Sequence, residues 1–269
     1  MKDSAPTAPM DISAFSLGDM LRCGLELRDA GKSAQSMEEA ARAAVRYFAD
    51  VFRDPVTGER QCALARFYKT HTYGALPPDL QLFSRSLMDS EPPGQNMKCL
   101  ALLATAGDRE QWNDRRRSLK HRAIPLPSPD VVKRAPMIAQ LITQFGLDIA
   151  SIVHPAPDLV REPEGRTYNV FHVREANGSP WIPAQEDFVI PHGIASVVGF
   201  GGLIGSDLFA VILFSRITIP DQSAVRFRNV ALDVKALVHG FSEDQTFELP
   251  ASGHTRRPDD AATRADGRS

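Results

Sequence analysis

The chain has 269 residues, 43% of them hydrophobic, and 31 basic against 33 acidic side chains give a formal net charge of -2. That length and apolar content suit one large domain or two small ones. The near-balanced charge excludes a protein whose main work is neutralising phosphates along a duplex, and the odd, widely spaced set Cys23, Cys62 and Cys99 excludes a closed disulfide framework.

A reducing, cytoplasmic setting fits the cysteine usage. No run approaches the roughly 20 apolar residues that span a bilayer. Residues 1–15 read as a flexible leader, since Asp3, Asp11 and several prolines leave no apolar stretch of signal-peptide type. Leu17, Met20, Leu21, Leu25 and Leu27 then predict a helix ending near Gly31. Ser36-x-x-Glu39 has the form of a capping box, and Ala41, Ala44, Val45, Phe48, Val51 and Phe52 keep the 3.6-residue repeat of a second helix, stopped by Asp54-Pro55.

Gln61 to Thr70 reads as a strand, Pro77-Pro78 opens a short helix, and Met97 to Thr105 reads as a second strand. Arg109 to Leu119 is a charged surface helix or loop, and His121 to Pro127 a short strand. Ser128 to Phe145 reads as a helix, kinked by Pro136 unless the helix starts there. A proline-rich stretch over 154–164 precedes a strand from Tyr168 to Val173, and a helical turn is expected over Ala184 to Val189. The clearest hairpin follows: Ile194 to Phe200, a glycine-rich turn from Gly201 to Asp207, and Leu208 to Arg216. Leu208 to Phe214 is apolar at every position, the mark of a central strand buried on both faces. Gln222 to Phe241 closes the domain as an amphipathic helix. The reading is a single domain over 16–241 and a disordered tail over 242–269, too poor in large apolar side chains to offset its ordering entropy.

Gly193-Ile194-Ala195-Ser196-Val197-Val198, the glycine-bearing turn, Leu208 to Ser215, and the closing helix together resemble the C-terminal half of GAF domains. The resemblance extends over about residues 36–241. It implies an α/β (α+β) fold, a central antiparallel sheet with flanking helices, enlarged here by the region 108–190. The chain is also similar to the GAF-like region ahead of output modules in some bacterial sensor histidine kinases. The resemblance implies a sensory or regulatory role and names neither ligand nor cofactor. Phosphoacceptor and ATP-binding kinase modules are absent from the sequence, so the output would pass through a signalling protein partner.

Reactive signatures are few. Gly199-x-Gly201-Gly202-x-x-Gly205 joins two strands with no helix after it, so a hairpin outweighs dinucleotide binding. The seven histidines form no zinc spacing. His192 stands before the hairpin, where a haem or polar ligand contact competes with an ordinary loop histidine. Arg115-Arg116-Arg117 is a dense basic cluster beside Asp108, Glu110 and Asp114, a pattern that ordinarily faces water.

Two readings result. In the first, a non-enzymatic sensor binds a small molecule between the sheet and its covering loops, through Arg66, Tyr68, Lys98, Phe188, His192 and Phe200, with no nucleic acid, no membrane and no metal, and a homodimer forms through the terminal helices. In the second, Cys62 and Cys99 serve a thiol-dependent reductase of the kind found among small GAF-fold enzymes acting on free methionine sulfoxide; buried cysteine as a small hydrophobe is the competing explanation.

Overall fold

The computed structural model describes residues 8–88, 92–155 and 169–248. Six strands, β1 (Cys62–Thr72), β2 (Lys98–Gly107), β3 (Ala123–Leu126), β4 (Asn169–Val173), β5 (Ser196–Ile204) and β6 (Asp207–Ser215), form one sheet in the order β3-β2-β1-β6-β5-β4. Every neighbouring pair is antiparallel. The apolar run of β6 is central, as its composition requires. Phe209, Val211 and Leu213 enter one core, Leu208, Ala210, Ile212 and Phe214 the other, and none is more than 7% exposed.

The first core lies under α1 (Leu17–Gly31), α2 (Met37–Val51) and α8 (Phe227–Val238). The second lies under α4 (Pro129–Lys133), α5 (Pro136–Gln144), α6 (Ile149–Val153) and a π-helical turn over Gln185–Val189. Of the remaining helices, α3 (Pro78–Ser86) packs beside β3, and α7 (Asp221–Ala224) precedes α8. This is the expected central antiparallel sheet with flanking helices.

Local chemistry explains the helix starts. Ser36 Oγ accepts from the Glu39 amide at 3.1 Å. The box is only half closed, because the Glu39 carboxylate takes the Gln35 amide rather than that of the N-cap. The complete box belongs to α1, where Ser16 and Asp19 satisfy each other's amides. Buried Ala40, Ala41 and Ala44 let α2 settle closely on β1 and β2. Pro136 produces a break instead of a kink: α4 ends at Lys133 and Pro136 opens α5, where the missing N–H would have had no partner anyway. The closing helix is likewise two pieces, α7 and α8.

Two expectations about the ends are corrected. Residues 10–15 are not a loose leader: Met10, Ile12 and Phe15 are buried, Met10 bridges Phe52, and Phe15 stacks on Phe227 at 4.7 Å. Three apolar side chains outweigh the polar composition around them. The tail is not uniformly free either, because Thr246 is buried and Phe247 packs against the core, while residues 249–269 lie outside the described residues. Most of the proline-rich stretch, and Tyr168, also lie outside them.

The hairpin is tighter than its glycines suggest. β5 continues to Ile204 and β6 begins at Asp207, so only Gly205-Ser206 turn, with Gly205 at φ +61°. Gly201 is a strand residue: a Cβ there would lie 2.1 Å from the Phe209 carbonyl oxygen and 3.0 Å from the Phe145 ring. Gly201→Ala is expected to cost about 2–3 kcal/mol through overpacking, measured by urea unfolding against the wild type.

Candidate functional site

β1 alternates between the two cores. Ala65 and Phe67 face the α1-α2-α8 layer; Leu64 and Tyr68 face the α4-α5-α6 side, as does Arg66 between them. Arg66 donates to Tyr68 Oη at 3.1 Å and to Ser118 Oγ at 3.4 Å, and its Nε has no partner. Burial, and then the Arg66 charge, lower the pKa of His121 above this network. On the same side, Phe188 meets Phe214 edge-on at 4.9 Å, and Trp112 meets His192 at 4.7 Å. Burial lowers the His192 pKa, with Arg109 adding to it.

The other two expected ligand contacts lie elsewhere. Phe200 points into the opposite core and packs on Phe48 and Phe227 at 5.4 and 5.1 Å, because β5 places it in phase with Val198 and not with Val197. Lys98 is committed at the far end of β1, where its Nζ donates to Asp207 at 2.7 Å and Lys69 Nζ donates to the same carboxylate at 2.9 Å. Burial alone would raise the Asp207 pKa, but Lys69 and Lys98 outweigh it and hold the carboxyl below its ordinary value. His71, on the same end of β1, is driven down to about 3, chiefly by burial and then by Lys69, and its Nε2 has no hydrogen bond.

The thiol pair is taken apart by the sheet register. Cys62 stands opposite Ser215 at one end of β1 and Cys99 opposite His71 at the other, so nine residues of strand put them roughly 30 Å apart. That distance forbids a disulfide. Burial pushes the Cys62 and Cys23 thiols up to about 12 and raises Cys99 as well.

The basic cluster divides among three environments. Arg117 pairs with Glu110 at the surface, Arg116 is half exposed, and Arg115 is only 5% exposed. Arg115 donates to both carboxylate oxygens of buried Glu38, at 2.7 and 3.0 Å, across 77 residues of sequence. Glu38 Oε2 also accepts the Glu248 amide at 3.1 Å, and the Arg115 guanidinium lies over the Phe247 ring at 5.4 Å. Together these ties fasten residues 246–248 to the start of α2. Beside them is a cavity of about 210 Å³ between α2, β2 and the 113–116 loop, walled by Arg42, Arg46, Thr105, Arg115, Arg116 and Glu248 among others. One buried donor of this wall, Thr105 Oγ1, lacks a hydrogen-bond partner, whereas Arg115 Nη1 makes no hydrogen bond but pairs with Asp79 at 3.5 Å. Only half of this site had a sequence signal, the arginine run; nothing near Glu38 announced its partner. A second, more open hollow of about 340 Å³ runs along residues 172–181. Among the described residues, no group of three or more His, Cys, Asp or Glu side chains is placed to hold a metal ion.

No family model and no curated protein matches the chain. Several solved structures are similar to it, among them two from phytochromes. One is the phycoerythrobilin-bound GAF domain of a cyanobacterial phytochrome, with 10% identity, 82% of this chain and 94% of that chain covered, and a TM-score of 0.40. The other is the photosensory core module of the Stigmatella aurantiaca phytochrome, with 11% identity, 87% of this chain covered and a TM-score of 0.39; this chain spans 38% of that module's length.

Two outcomes are expected from this chemistry. The thiols of the folded protein should be inert to DTNB and become titratable in denaturant; a fast-reacting thiol in the native protein would contradict their sealing. His71 has a folded pKa depressed below its unfolded value of about 6.5, so the native state binds fewer protons. Its contribution is fully present above pH ~6.5 and is lost as pH falls toward the folded value of about 3. Urea unfolding across pH 7 to 4 should show stability falling, with a shallower fall in His71→Leu.

Proposed function

We propose that this chain is a regulatory domain of GAF-like type that binds a small molecule and passes its occupancy to a protein partner, without bond-making chemistry of its own. The observation that carries this reading is the polar cavity at the sheet margin, lined by four arginines and by a buried Thr105 hydroxyl that has no hydrogen-bond partner. A buried polar group left unsatisfied costs on the order of 1–3 kcal/mol, and a ligand that supplies an acceptor offsets that cost. Arg66, Tyr68, Phe188 and His192 remain a secondary ligand-contact set on the α4-α5-α6 side, whereas Phe200 and Lys98 are engaged in core packing and in the Asp207 ion pairs. The thiol-reductase alternative is disfavoured by the separation of Cys62 from Cys99 and by their raised pKa values.

The partner surface we favour is α1. Leu17, Leu21 and Leu25 follow one another at four-residue spacing, and each is 61–62% exposed. α1 also packs directly on α2, which lines the cavity, and on α8. A stripe of this kind is self-complementary when two copies meet about a two-fold axis, which makes a second copy the occupant to test first.

Native mass spectrometry of freshly purified protein, paired with its absorbance spectrum, tests the ligand half of this reading. A retained small molecule is the expected result; an unliganded mass, together with no thermal stabilisation by any member of a metabolite panel, would remove it. For the surface, light scattering should report a dimer that Leu21→Glu converts to a folded monomer. A wild type that stays monomeric at high micromolar concentration would discard the α1 interface.

A further inference from the structure

Resting on the small-molecule reading above, we propose that the cavity between α2 and β2 is an oxyanion site, taking the phosphate or carboxylate group of a small molecule, and that Glu248 of the same chain is its internal competitor.

The shape of the site follows from the sheet. β3 pairs with β2 only from Lys98 to Ala101, so the wall at Leu103 to Thr105 borders a cavity and not another strand. At the same place the β1–β2 register slips: Phe67 faces Ala104 and Tyr68 faces Leu102, leaving Leu103 as an extra residue. Such bulges re-aim the side chains that follow them. Thr105, 2% exposed, lines the cavity with its hydroxyl unpartnered.

The charges define the ligand class. Four guanidiniums, from Arg42, Arg46, Arg115 and Arg116, meet three carboxylates, from Glu38, Asp114 and Glu248. Glu38 is held bidentately by Arg115 and lies 3.7 and 3.9 Å from Arg42 and Arg116, and Asp114 accepts the Arg116 amide in its own turn. Arg46 pairs with no acid among the described residues. The planar, forked guanidinium is suited to two-point recognition of carboxylate and phosphate oxygens, so several converging on one hollow favour an oxyanion over a neutral or cationic ligand. At about 210 Å³ the hollow is smaller than the ~300–1,000 Å³ typical of drug-sized sites, so the ligand, or the part of it that enters, has few heavy atoms.

Glu248 already does inside the molecule what the ligand would do. Its carboxylate lies 2.6 Å from Arg42 and 3.7 Å from Arg116. An incoming oxyanion of higher charge would compete for those guanidiniums and loosen the hold on residues 246–248.

Calorimetric titration of the full chain with inorganic phosphate and, separately, succinate, each against chloride at matched ionic strength, tests this. Saturable binding of at least one probe is expected, and which one binds distinguishes a phosphate from a carboxylate ligand. Arg46→Ala, at an exposed position with no partner to lose, should keep the anion-free thermal midpoint and weaken binding about tenfold. Thr105→Val should weaken it as well, and Glu248→Gln should strengthen it. Probes that behave like chloride, or Arg46→Ala with wild-type affinity, or Glu248→Gln with weaker binding, would each overturn the assignment. If the probes fail while a copurified molecule is seen in the native mass spectrum, the oxyanion assignment falls and the small-molecule reading stands.

Discussion

β6 cannot meet water on either face. From Leu208 to Phe214 its side chains alternate between two cores without a polar interruption, and each face demands its own cover. That demand places α1, α2 and α8 on one side and the α4-α5-α6 segment with the Gln185–Val189 turn on the other. It also explains Gly201, since a strand pressed between β6 and Phe145 has no room for a Cβ. The two centre strands are long, but β3 is short, so beyond Ala101 β2 has a partner strand only on its β1 side and its outer margin is closed by loops. The polar cavity is a consequence of that mismatch in strand length.

Charge is concentrated at the margins of the sheet. The Glu38–Arg115 pair is almost fully dehydrated, and two ions withdrawn from water recover the cost only with good geometry and further hydrogen bonds. Both conditions are met: the pair is bidentate, the second carboxylate oxygen also receives the Glu248 amide, and the guanidinium covers an aromatic ring. At the end of β1, two lysines share one Asp207 carboxylate, and Thr70 ties the same carboxylate to the Leu208 amide. These ties fix the β5–β6 hairpin to β1 and β2. In the proposed function the cavity and the α1 surface communicate through α2, which lines the first and packs against the second. A ligand that makes different contacts in two arrangements of α2 would bias the partner surface.

Elements with strong periodicity were legible from the order of apolar residues. The α2 face and the two-sided β6 strand follow from apolar spacing, because burial is a property of each side chain and of its phase along the element; the antiparallel sheet with flanking helices was what the resemblance implied. Which of the expected ligand contacts share a face was not legible: Phe200 points away from the α4-α5-α6 side on which Arg66, Tyr68, Phe188 and His192 lie, since being one residue out of phase in a strand sends a side chain to the opposite core. Met10, Ile12 and Phe15 were not legible as core either, too few and too irregular to show a period.

What the amino-acid order determined by itself was therefore local: which segments form helix or strand, and which of their faces must be dry. Tertiary structure alone decided that Cys62 and Cys99 stand at opposite ends of a strand, that Lys98 is held by Asp207, and that Glu38 meets Arg115. Those outcomes depend on strand register and on contacts between residues far apart in the chain, where a charged side chain reads the same in sequence whether it faces water or a buried partner. The physical reason is that propensity and periodicity act over a few neighbouring residues, while pairing of charges acts through space.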